Sequence, residues 1–170
     1  PVPDLVNGMA STVYAPTVNR IYMFGGSNFT SGVVANTTRI YDIATGLWST
    51  GVPMPDVRTF MASGYYNGKI YLVGGYTTGN VTPAFLQTWE YNIASSTWLT
   101  KTSIPAPLGF GGAASSVING HLYVAGGRDS SVALLNTLWD YNIAADTWTA
   151  RAPLPVAVNV PGGAAIGGQL

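Results

Sequence analysis

The chain of 170 residues contains no cysteine, which removes disulfides, thiolate metal sites and cysteine nucleophiles together. Charge is scarce: Asp, Glu, Lys and Arg make up 8% of the residues, against about 25% in an average soluble domain. The seven basic and seven acidic residues cancel, and no basic cluster occurs, so a nucleic-acid partner has no electrostatic support. Apolar runs are strand-sized, far short of the roughly 20 residues that cross a bilayer as a helix. One histidine without cysteine cannot assemble a transition-metal site of the usual kind, and no D-x-[DN]-x-[DN]-G calcium loop occurs. No cofactor or metal is expected. The sequence begins at Pro1 without an initiator Met or a charged-then-apolar leader, so a processed chain or a fragment is expected.

What is present is a repeat. Trp48, Trp98 and Trp148 stand fifty residues apart, each preceded by a related tetrapeptide that begins at Tyr41, Tyr91 or Tyr141. Further upstream, three apolar runs close on the doublets Gly25-Gly26, Gly74-Gly75 and Gly126-Gly127. Four short β segments per unit at this period are the signature of a propeller blade. The spacing predicts first strands over 9–14, 59–66 and 111–118, second strands ending at the glycines, third strands ending at the tyrosines, and fourth strands centred on the tryptophans. Asn67-Gly68 and Asn119-Gly120 are two-residue hairpin turns between the first two strands, since both positions need positive φ. The Asp or Asn after each tyrosine is expected to bond backbone amides two residues on. Proline pairs at Pro53/Pro55, Pro105/Pro107 and Pro153/Pro155 end each outer strand. The units are 1–51, 52–101 and 102–151, with 152–170 starting a fourth.

With these marks the chain resembles the Kelch-repeat β-propellers, and its wording is most similar to extracellular bacterial members. The resemblance implies an all-β fold: three four-stranded antiparallel blades and the inner strand of a fourth, a partial propeller. It also implies that the glycine pair makes room for the aromatic residues of strands three and four. Such an arc cannot close into the four to eight blades of a propeller. The remaining blades are therefore expected from the same polypeptide, or from a homo-oligomer that completes the ring.

Residues shared by every unit are read as scaffold, and those that break the pattern as free for function. Asp42 matches Asn92 and Asn142, Asp4 matches Asp56, Glu90 matches Asp140, and Asp146 sits in a turn; only Asp129 lacks a counterpart. A paired-carboxylate mechanism is therefore not expected. His121 falls where Arg20 and Lys69 fall and is read as a solvated strand end. The glycine doublets lack a following helix and the Gly-Lys-Ser/Thr of a phosphate loop. Asn28, Asn36 and Asn80 begin N-glycosylation patterns, which arise readily by chance in a sequence this rich in Ser and Thr.

The most divergent segments are the loops after the glycine doublets, 27–35, 76–85 and 128–133. They open on the same side as the crossovers between blades. Asn28, Phe29, Tyr76, Asn80, Arg128 and Asp129 are the candidate ligand-binding residues. Arg58 joins them, lying in a crossover where the family often places a contributing arginine. The expected function is a non-catalytic module that presents this face to a protein or glycan partner, as part of a larger extracellular or cell-surface protein. The alternatives are an adhesin-like structural component, or part of a Kelch-type enzyme whose catalytic residues lie in other blades.

Overall fold

The computed structural model describes residues 11–28, 30–78, 83–161 and 163. Phe29, Asn80, Asp4, the first two positions of the strand expected at 9–14, and residues 164–170 of the fourth unit lie outside them. The described residues form strands and turns without helix, so no helix there is long and apolar enough to cross a membrane.

Three antiparallel sheets follow the repeat. Blade 1 comprises β1 (Ser11–Ala15), β2 (Arg20–Phe24), β3 (Thr38–Asp42) and β4 (Leu47–Thr50), paired in sequence order. Blade 2 comprises β5 (Ala62–Tyr66), β6 (Lys69–Val73), β7 (Thr88–Asn92) and β8 (Thr97–Lys101). Blade 3 comprises β10 (Ala114–Ile118), β11 (His121–Ala125), β13 (Leu138–Asn142) and β14 (Thr147–Arg151). The remaining pair, β9 (Phe110–Gly111) and β12 (Arg128–Asp129), forms a short separate ladder. The expected turns are present: Asn67 and Gly68 have φ of 46° and 77°, and Asn119 and Gly120 have 50° and 80°. Asp42 Oδ1 accepts from the amides of Ala44 and Thr45, and Asn92 Oδ1 from those of Ala94 and Ser95.

In blades 2 and 3 the first strand is shorter than expected. Phe60 and Gly112 take positive φ (59° and 67°), which breaks the extended run before β5 and β10. The residues ahead of the break belong to the loop face instead: Thr59 bridges Tyr76, and Phe110–Gly111 pairs with β12.

Alternating side chains bury between blades, because each sheet has a neighbour on one or both faces. Val13, Tyr22 and Phe24 of blade 1 meet Ile70, Leu72, Trp89 and Tyr91 of blade 2 in one core. Tyr71 and Val73 on the opposite face of blade 2 meet Leu122, Val124 and Tyr141 of blade 3 in a second. Trp98 sits edge-on to Phe24 at 5.6 Å, and its partner Tyr91 is 4.8 Å away. The inner strands approach through small residues: the Ser115 hydroxyl donates to the Ser63 carbonyl and accepts from the Ser63 amide.

Candidate functional site: the loop face

Antiparallel pairing places the loop after each second strand and the crossover into each next blade at one end of the arc. A backbone lattice with threefold repetition holds them together. The second glycine of each doublet donates to the next crossover: Gly26 to the Arg58 carbonyl, Gly75 to Phe110 and Gly127 to Val158. The crossovers donate back to the loops, from Arg58 to Ala35, Phe110 to Phe85 and Val158 to Leu135. This contact explains the doublets. A Cβ on Gly25 would stand 2.1 Å from the Arg58 carbonyl oxygen, one on Gly75 2.7 Å from that of Thr59, and one on Gly127 2.8 Å from that of Gly111. The glycines make room for crossover backbone, that leading into the next blade at Gly25 and that entering their own blade at Gly75 and Gly127, rather than for the aromatics of strands three and four, as the resemblance implies.

Three candidate ligand residues turn out to hold this face together. Tyr76 is 2% exposed, and its hydroxyl donates to the carbonyls of Gly111 (3.0 Å) and Arg128 (2.7 Å). Burial pushes its pKa up to about 12. Arg58 is also buried. Its Nη1 lies 2.6 Å from Asp56 Oδ2, and its guanidinium covers the Phe85 ring at 3.7 Å and that of Trp89 at 5.0 Å. Asp129 is buried too. Its Oδ1 accepts from the Ser131 hydroxyl and from the amides of Ser131 and Ala133, and the Ser131 hydroxyl bond, with these amides, holds its carboxyl below the usual range.

Asp129, expected to lack a counterpart, has one two residues after the glycine doublet of blade 1. Asn28 occupies the same loop position in blade 1, where its Oδ1 accepts from the amides of Thr30 and Ser31. In both loops the amide of the cap residue also donates across the turn, from Asn28 to the Val33 carbonyl and from Asp129 to the Ala133 carbonyl. Arg128 is half-buried in β12, with its Nε lacking an acceptor among the described residues.

Two further polar groups depart from expectation. His121 is no free strand end: its Nδ1 lies 2.7 Å from Asp140 Oδ1, and the same buried carboxylate binds Arg151 Nη2 at 2.6 Å. Asp146 reaches beyond its turn to blade 2, accepting from the Thr102 amide and pairing with Lys101 Nζ at 3.2 Å. Neither cluster lies on the loop face. Among the described residues no group of three or more His, Cys, Asp or Glu could hold a metal ion.

Among the described residues the loop face exposes aliphatic side chains beside polar ones such as Thr30, Ser31 and Ser131. Val33 and Val132 are 62% and 52% exposed at the loop tips, with Leu134 beside them and Leu108 on the crossover. The sequence held a signal for this: the tips differ in every blade while the lattice positions below them repeat.

A family model described as the KLHDC2/KLHL20/DRC7 Kelch-repeats domain matches residues 2–162. The chain belongs to the Kelch-repeat family. Among the relatives the chain matches, the F-box protein AFR of Arabidopsis thaliana is 32% identical over 93 residues, covering 55% of this chain and 23% of that protein. Kelch-like protein 35 of Mus musculus is 24% identical over 128 residues, covering 75% and 20%. The Kelch-like protein terF of Aspergillus terreus is 30% identical over 114 residues, covering 64% and 25%. The chain thus spans a quarter or less of the length of these relatives. Kelch-repeat domains are for the most part non-enzymatic protein-interaction modules, which is consistent with a binding role here.

Proposed function

We propose that the loop face is a non-catalytic protein-binding surface. The observation that carries this is the contrast between an invariant backbone lattice and the divergent, exposed aliphatic tips mounted on it, Val33, Leu108, Val132 and Leu134. Rigid scaffold with variable loops is how binding surfaces are commonly built, and apolar patches with polar rims favour protein partners. A glycan site draws less support. Sugar stacking needs an exposed aromatic face, and of the loop aromatics among the described residues Tyr76 is buried and Phe85 lies under Arg58. An extracellular setting rests on composition alone. The same reading includes further blades over the two open sides of the arc, since Tyr41 is half-buried where its counterparts Tyr91 and Tyr141 are 1% and 0% exposed.

Photo-crosslinking in the native source tests the proposal. A crosslinker at Val33, Val132 or Leu134 should yield discrete protein adducts, and one at Ile43 or Ala144 on the opposite turns should not. Equal adducts from both ends would contradict it.

A further inference from the structure

Blade 2 contains a complete guanidinium site filled by its own Arg58, stacked on Phe85 and Trp89 and paired with Asp56. Pairing register makes Leu135 and Trp139 the blade-3 counterparts of Phe85 and Trp89. Phe110 stands where Arg58 stands, but its ring turns against Gly74, coming within 3.2 Å of a Cβ built there. Over Leu135 and Trp139 there is instead a cavity of about 90 Å³, walled by Ala106, Pro107 and Leu108 of a longer crossover and bordered by Asp129. One water needs roughly 10–15 Å³ by the same kind of measure, so there is room for a side-chain head group. Ser131 and Ala133 engage Asp129 Oδ1. Its Oδ2 has no described donor, and the negative charge is retained at neutral pH.

We propose that this cavity docks one arginine side chain of a partner polypeptide, its guanidinium over Trp139 and against the Asp129 carboxylate. The inference rests on the loop-face reading and gives it a partner chemistry. Its physical basis is the internal precedent: an aromatic face plus a carboxylate already holds a guanidinium one blade away, and such charge-assisted, ring-stacked sites select arginine.

The probe is the peptide acetyl-Ala-Arg-Ala-amide, with citrulline in place of arginine as the neutral isostere. The indole N–H of Trp139 is followed by NMR. A saturable shift with the arginine peptide, and binding at least about tenfold weaker with citrulline, is expected. Asp129→Asn should weaken binding by a similar factor while keeping the loop, because Asn28 makes the same cap in blade 1. Should that variant disturb the loop amides, Ala106→Lys provides a second test by placing a like charge at the cavity wall, and should abolish binding. Ala106→Asp places a second carboxylate at the cavity wall and should tighten binding several-fold. An unmoved Trp139, equal binding of citrulline, or an Asp129→Asn variant that folds and binds unchanged would overturn the proposal. Crosslinks from Val132 or Leu134 without any Trp139 response would reject this cavity and leave the loop-face reading intact.

Discussion

The Tyr76 hydroxyl serves two backbone carbonyls from a site that water hardly reaches, so its removal leaves both without that donor. Tyr76→Phe should therefore cost about 1–3 kcal/mol, read as a lowered urea midpoint with an unchanged slope. Glycine positions divide in the same way by what surrounds them. Gly25 has φ of +64° and would place a Cβ 2.1 Å from a backbone oxygen, whereas Gly32 has φ of +71° with nothing within 4 Å. Left-handed backbone alone costs an L-residue about 1–2 kcal/mol. Gly32→Ala should stay within that, and Gly25→Ala should exceed it clearly in the same denaturation experiment. The identity of the loop-face residues was legible in the sequence, but their direction was not. Whether Tyr76 points outward or inward is decided by a crossover 35 residues later in the chain, where Gly111 supplies its acceptor. Arg58 is hidden from a sequence reading for a similar reason, since its ring partners Phe85 and Trp89 come about 30 residues later in the same unit.

Strands and hairpins were legible because each depends on local chemistry, as the Asn-Gly turns and the Asx bonds after the tyrosines show. The split in the first strand was not. Phe60 is no turn residue by type; its positive φ goes with the bond from the Gly112 amide to the Phe60 carbonyl, a contact between successive crossovers. Packing between elements yields a graded prediction for the tryptophans. Trp98 is half-buried against Phe24 of the preceding blade, while Trp48 lies tilted against its own Tyr41 at 5.1 Å. Trp98→Ala should cost about 3 kcal/mol, the low end for a buried tryptophan, and Trp48→Ala about 1 kcal/mol. The Asp146 link between β8 and β14 adds a pH dependence. Burial pushes its pKa up, but the Tyr141 hydroxyl, the Thr102 amide and Lys101 together bring it below the usual carboxylate range. A depressed folded pKa contributes stability above the unfolded value of about 4, and that contribution fades as pH falls through the folded value. Asp146→Asn should therefore be less stable than the native protein at pH 7, with the gap closing under acid.

At the scale of the molecule, three blades pack through two cores and share one lattice at the loop end, so the arc presents its variable residues on a single rigid rim. Its period of fifty residues made this architecture legible at once. The partner was not legible, because a repeat specifies the scaffold and leaves the tips free to vary. The far face of blade 1 has no described neighbour for Ile21, Met23, Tyr41 and Trp48, and that of blade 3 none for Tyr123. The account's central claim concerns the rim, and amide hydrogen exchange measured with and without the partner recovered by crosslinking tests it most directly. Protection confined to residues 30–34, 108–109 and 130–135 is the predicted result. Protection confined to the opposite turns, 43–46, 93–96 and 143–146, would contradict it.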